Sequence, residues 1–168
     1  MHAPNFQIRD ENEGDAAALS ELSALAFGPG RFGRTAYRIR EGVAPVSSLA
    51  LTAWLEDRLV GGIRFTAVTI GGEGSALLLG PLVVDPVHKD KGYGKALVAA
   101  GLARASVQGF RLVVLVGDMP YYGRFGFVPV PPGRIRLPGP VDPARLLALE
   151  LVAGALGNAA GLVQAKAA

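Results

Sequence analysis

Cysteine is absent from this 168-residue chain, and histidine occurs only as His2 and His88. The first absence excludes disulfides, thiolate metal sites and a cysteine nucleophile. The second argues against a histidine-built metal centre and against a Ser-His-Asp triad. Aromatic residues make up only 7%, and the 17 Lys and Arg against 14 Asp and Glu leave a formal charge of +3 without any basic block. A nucleic-acid surface of clustered cations and stacking rings is therefore not expected. No charged segment followed by an apolar core opens the chain, so no secretory signal is expected. The most apolar late run, residues 146–156, carries Glu150 and falls short of the ~20 residues that a membrane span needs. The expectation is a cytoplasmic protein with no metal and no membrane or nucleic-acid partner.

What is present is a large apolar fraction: half the residues are hydrophobic, enough for one domain over residues 1–168 to bury a core. Within it the stretch 77–97, LLLGPLVVDPVHKDKGYGKAL, carries the most information. An apolar strand ends in a turn at Asp85-Pro86. A loop of Lys89, Asp90, Lys91, Gly92, Tyr93 and Gly94 follows, and a helix opens near Lys95. Glycines let a backbone approach a ligand, and a helix start aims unpaired N–H groups at it. The helix dipole with Lys89, Lys91 and Lys95 favours an anion such as phosphate. On residue types alone, a tight strand-to-helix connection explains the glycines equally well. Two named phosphate motifs fail. Gly94-Lys95 is followed by Ala96 instead of Ser or Thr, and Gly28, Gly30 and Gly33 follow a helical segment instead of a strand.

The segment Lys89-Asp90-Lys91-Gly92-Tyr93-Gly94 resembles the acyl-CoA signature of the GCN5-related N-acetyltransferases (GNAT), with Lys89 where Gln or Arg is usual. A lysine keeps the charge and loses the planar fork. About thirty residues on, Tyr121-Tyr122-Gly123-Arg124-Phe125-Gly126-Phe127 resembles the second landmark of that family, a Tyr four residues before Gly-Phe. The resemblance implies an α/β fold: a mixed, centrally splayed sheet of about seven strands flanked by about four helices.

Periodicity fills in the elements. Phe6 and Ile8 alternate with polar residues, and Asp15 heads a helix through Leu19, Leu22 and Ala26. Gly28-Pro29-Gly30 stops it, and Arg31 to Glu41 reads as a second helix. Its arginines read either as a solvated face or, by the resemblance, as a border of the acceptor site. Strands are expected at 48–54, 59–70 and 76–84, with a turn at 71–74. Proline at Gly80-Pro81 implies an edge, a bulge or an ordinary strand end at Gly80, and the resemblance implies a bulge from which the fourth strand parts from the fifth. In the helix after Gly94, Ala96, Ala99, Ala100 and Ala103 read as the close-packing face. A buried strand at 112–116 follows, then a short helix at 119–125 and a strand at 127–130. Asp142-Pro143 is a good helix start, yet the implied fold needs a strand at 147–152. Residues 157–168 read as partly frayed.

By the resemblance the donor is acetyl-CoA, with no metal, and the acceptor is an amine of a small molecule or a protein. The backbone of Leu82, Val83 and Val84 would pair with the pantetheine arm, and an N–H near Val83 or Val84 would face the oxyanion. The loop from Lys89 to Lys95 would hold the pyrophosphate. Tyr122 takes the position of the general acid for the departing thiolate; from residue type alone it reads as core, among Tyr121, Phe125 and Phe127. Tyr121 reads as packing. No general base stands out: Asp118 and Glu73 are the acidic candidates, each read more readily as a surface or capping carboxylate, and His88 lies beside the loop, far from the expected place of the thioester. A non-catalytic acyl-CoA sensor on the same fold is the alternative, and a homodimer is common among the proteins resembled.

Overall fold

The computed structural model describes residues 5–27, 39–41 and 43–166. The expected stop at Gly28-Pro29-Gly30 and most of the expected helix from Arg31 to Glu41 lie outside them. The strands are β1 (Phe6–Asp10), β2 (Ala50–Leu55), β3 (Arg58–Ile70), β4 (Glu73–Val84), β5 (Leu112–Val116), β6 (Val128–Pro129), β7 (Ile135–Arg136), β8 (Leu146–Glu150) and β9 (Gly161–Ala165). The helices are α1 (Ala16–Phe27), α2 (Tyr93–Val107) and α3 (Met119–Tyr122). Among the described residues no helix is long and apolar enough to cross a membrane.

The sheet runs β1-β2-β3-β4-β5-β8-β6, and β9 pairs with both β3 and β7. β4 and β5 are parallel, which requires the long crossover that α2 supplies. The other ladders are antiparallel except β7 with β9. This is the expected mixed α/β sheet, with two small strands more than expected.

Two apolar layers cover it. On one face Leu77, Leu79, Phe65 and Val113 pack with Leu97 and Val98 of α2. On the other, Ala76, Leu78, Val114 and Val68 pack with Ile39 and Val163. The alternation of 76 and 78 with 77 and 79 is what a strand buried on both faces requires. Of the alanines expected to pack, Ala99 and Ala103 are exposed and Ala100 lies partly buried against the core, which Ala105 enters fully. Gly101 also packs closely: a β-carbon there would fall 2.3 Å from Cε1 of Phe65.

Several boundaries differ from expectation. Residues 47–49 form a 3-10 turn before β2, and Glu73 opens β4, so the hairpin turn is Gly71-Gly72 alone. Asn12 heads the first helical turn, its side chain accepting from Gly14 N–H while Asp15 accepts from Asn12 N–H at 2.9 Å. Asp142-Pro143 starts only a 3-10 turn, and the strand β8 follows it. The tail is not frayed at 161–165. There β9 pairs Val163 with Ile70 and Ala165 with Val68, and Val163 is fully buried.

Candidate functional site

β4 pairs with β5 only through Ala76–Leu78 against Leu112–Val114. Beyond Leu78 the two strands part, while β4 stays paired with β3 as far as Val84 against Gly61. The departure coincides with a bulge. Ile63 faces Leu82 and Phe65 faces Leu79, so Gly80 and Pro81 together oppose Arg64. Gly80 takes φ +130, open to glycine alone at little strain.

Asp85 donates its N–H to Val60 O at 2.7 Å, toward β3. Alternation along an antiparallel strand then sends the N–H and C=O of Val83 to β3 and those of Leu82 and Val84 into the gap. Val83 is thus turned away from the role expected of it. Its side chain is buried with Leu19 and Leu22 of α1.

At the end of β4, Asp85 accepts from Val87 N–H at 3.0 Å and heads a 3-10 turn through His88. The loop then passes twice through left-handed geometry, at Asp90 (φ 64) and Gly92 (φ 85). Gly92 is the N-cap of α2 and has no side chain to cap it. The Ala96 N–H closes on Gly92 O at 3.0 Å, so the amides just before it are left at the helix start. Lys89, Asp90, Lys91 and Lys95 are exposed around them, and Gly94 is buried. A β-carbon on Gly94 would meet Val84 Cγ2 at 3.4 Å and Leu82 Cδ2 at 3.8 Å, so helix start and open edge are contiguous. The residues present fit a long ligand with amides in its middle and phosphates at one end. The His88 ring lies 6.2 Å from that of Tyr93, with its Nδ1 buried and unpartnered among the described residues.

Across the gap stands α3. The Tyr122 ring packs on Gly117, just past β5, where a β-carbon would fall 2.6 Å from Cε2, and on Phe127 with centroids 5.8 Å apart. Burial raises its phenol well above the ordinary value, Tyr121 and Asp118 adding to the rise and Arg145 opposing it. Tyr121 meets Tyr122 edge-on at 4.9 Å and reaches over to Gly94, with the Arg124 guanidinium stacked 4.5 Å from its centroid. Reading Tyr121 as packing alone missed that reach, which only a long-range contact reveals. Asp118 accepts the N–H of Tyr122 through its backbone oxygen at 3.0 Å, while its exposed carboxylate sits 3.4 Å from Arg145. Glu73 is not brought to the gap; it lies five residues before Leu78, roughly 16 Å along the strand.

A model of the acetyltransferase (GNAT) family matches residues 17–127. The N-acetyltransferase YjhQ of Escherichia coli K12, itself uncharacterized, is 32% identical over 132 residues, covering 77% of this chain and 72% of that protein. The uncharacterized N-acetyltransferase YhbS of the same strain is 28% identical, with 94% of each chain covered. The crystal structure of E. coli YhbS in complex with CoA superposes with a TM-score of 0.84 at 27% identity, covering 99% of this chain and 92% of that one. A GNAT acetyltransferase from Brucella melitensis in complex with acetyl-CoA gives a TM-score of 0.72 at 28% identity, with 98% of each chain covered.

Proposed function

The chain belongs to the GNAT family of acetyltransferases, and from that premise we propose that it transfers an acetyl group from acetyl-CoA to a primary amine of a small molecule or protein. Attack is direct, within a ternary complex. The amine nitrogen bonds to the acetyl carbon, the carbon–sulfur bond breaks to release CoA, and the proton lost from nitrogen passes through water to solvent. The observation that carries this reading is the unpaired edge of β4 at Leu82 and Val84, running into the helix start at Gly92–Lys95.

Acetyl-CoA bound there supplies an activated thioester. The N–H and C=O of Leu82 and Val84 hold the pantetheine amides as a neighbouring strand would, fixing the arm along the gap. The amides of Gly92–Lys95 hold the pyrophosphate, with Lys89, Lys91 and Lys95 adding charge and Asp90 and Tyr93 shaping the turn. Held this way, donor and amine react as one assembly, an advantage of up to roughly 7–11 kcal/mol. The Val84 N–H, aimed into the gap, is the donor placed to meet negative charge on the carbonyl oxygen.

Tyr122 keeps its proton at neutral pH and donates it toward the leaving sulfur. Its raised pKa makes it a weaker acid than an exposed phenol, so its part is chiefly a hydrogen bond to developing thiolate. Similarity to proteins crystallised with CoA and with acetyl-CoA supports the donor.

The test is CoA release across a panel of amino acids, polyamines, aminoglycosides and peptide N-termini. Acetylated product from at least one class is expected. Tight acetyl-CoA binding with no product across the panel would turn the reading toward a sensor.

A further inference from the structure

The amides at the start of α2 have a cation for a neighbour on the α3 side of the gap. Arg124 lies in the 3-10 turn Gly123–Phe125, just past Tyr122. Its Nε donates to the Tyr121 backbone oxygen at 3.1 Å, and its Cζ sits 4.5 Å from the centre of the Tyr121 ring. Backbone and ring of one residue thus hold the guanidinium in place. Among the described residues no carboxylate pairs with it, and Nε alone of its nitrogens makes a hydrogen bond. The ring beneath it carries the hydroxyl that reaches Gly94, the second residue of α2. Burial raises the Tyr121 phenol and the Arg124 charge opposes the rise, so the cation stands near the hydroxyl as well as the ring. Guanidinium and helix start are therefore neighbours of the same phenol.

This inference rests on the reading in the preceding subsection, which lays the diphosphate of the donor at that helix start. We propose that Arg124 is a further donor-binding residue, closing on the diphosphate from the α3 side while the α2 amides hold it from the other. The segment from Lys89 to Lys95 offers lysines, which are point charges on flexible stems, and no arginine. A guanidinium meets two phosphate oxygens in parallel hydrogen bonds, a match that lysine lacks. The anion displaces no carboxylate in binding, because Arg124 has none to give up. Tyr121 acts as a positioning residue for Arg124, its ring face attracting the cation. Bound donor then joins α2 to α3 across the parted strands.

The experiment is calorimetric titration of CoA and of 3′-dephospho-CoA into the wild type, Arg124→Gln and Arg124→Lys, at low and at raised salt. Arg124→Gln should bind both ligands roughly tenfold more weakly at low salt, as expected for lost charged hydrogen bonds. Arg124→Lys should recover part of that loss. Raised salt should weaken the wild type more than Arg124→Gln, since screening acts on a charge pair that the variant lacks. A residue that merely packed would leave the salt dependence unaltered. Wild-type affinity in Arg124→Gln overturns the proposal, as does a loss confined to CoA, which would put Arg124 on the 3′-phosphate. A wild type that binds neither ligand would defeat the donor reading itself, and this proposal with it.

Discussion

The hydroxyl of Tyr121 lies where a side chain on Gly94 would begin: a β-carbon there would fall 2.7 Å from Oη. The two residues belong to α3 and α2, the elements that follow the parting strands β5 and β4. Gly94→Ala tests whether that closeness serves the donor. Alanine favours a helix over glycine by about 1 kcal/mol, so the variant should fold. Its methyl drives Tyr121 toward the gap and should weaken acetyl-CoA binding. The double variant with Tyr121→Phe, which removes the obstructing oxygen, should recover affinity. Isothermal titration of the three proteins reads this directly, and unaltered affinity in Gly94→Ala would refute it.

Tyr122→Phe keeps the ring that packs on Gly117 and Phe127 and removes only the proton donor. Acetyl-CoA affinity should hold while kcat falls by about a hundredfold, the lower range for a lost proton donor. A variant that turns over normally would assign Tyr122 to packing.

Much of this site could be read from residue order. The segment from Asp85 to Lys95 folds as a turn, loop and helix start because its signals are local: a proline after an aspartate, then glycines. The Gly80-Pro81 pair signalled an edge or a bulge for the same reason, and the family resemblance pointed to the bulge. Contacts that depend on distant partners were not legible. Nothing near Gly161 foretells pairing with β3 some ninety residues earlier. Small residues in α2 suggested close packing, yet alanine spacing could not say that Gly101 meets Phe65. The reach of Tyr121 to Gly94 and the clasp of Arg64 by Glu11 likewise join residues far apart in sequence.

Gly101→Ala sets two effects against each other. Helix propensity gains about 1 kcal/mol. The new methyl would meet the fully buried Phe65 ring at 2.3 Å, and overpacking of that kind costs typically about 1–3 kcal/mol. Net destabilisation is expected, seen as a lower urea midpoint with unchanged m. Equal or greater stability would mean that α2 shifts freely on the sheet.

Alkaline pH should loosen the fold through the tyrosines. Burial raises Tyr122 and Tyr121 above the ordinary 10.0. As pH climbs through 10, the unfolded chain loses those protons while the folded chain keeps them, so stability falls with rising pH. Urea midpoints between about pH 9 and pH 11 should decline less steeply in Tyr122→Phe than in the wild type. Parallel declines would show that Tyr122 titrates alike in both states.

Amide hydrogen exchange with and without acetyl-CoA addresses the central claim most directly, because it reads the backbone groups to which the donor is assigned. Bound donor should slow exchange at Leu82, Val84 and Gly92–Lys95, and leave Val83, already bonded to β3, unaltered. Slowing elsewhere with none at these amides would contradict the account.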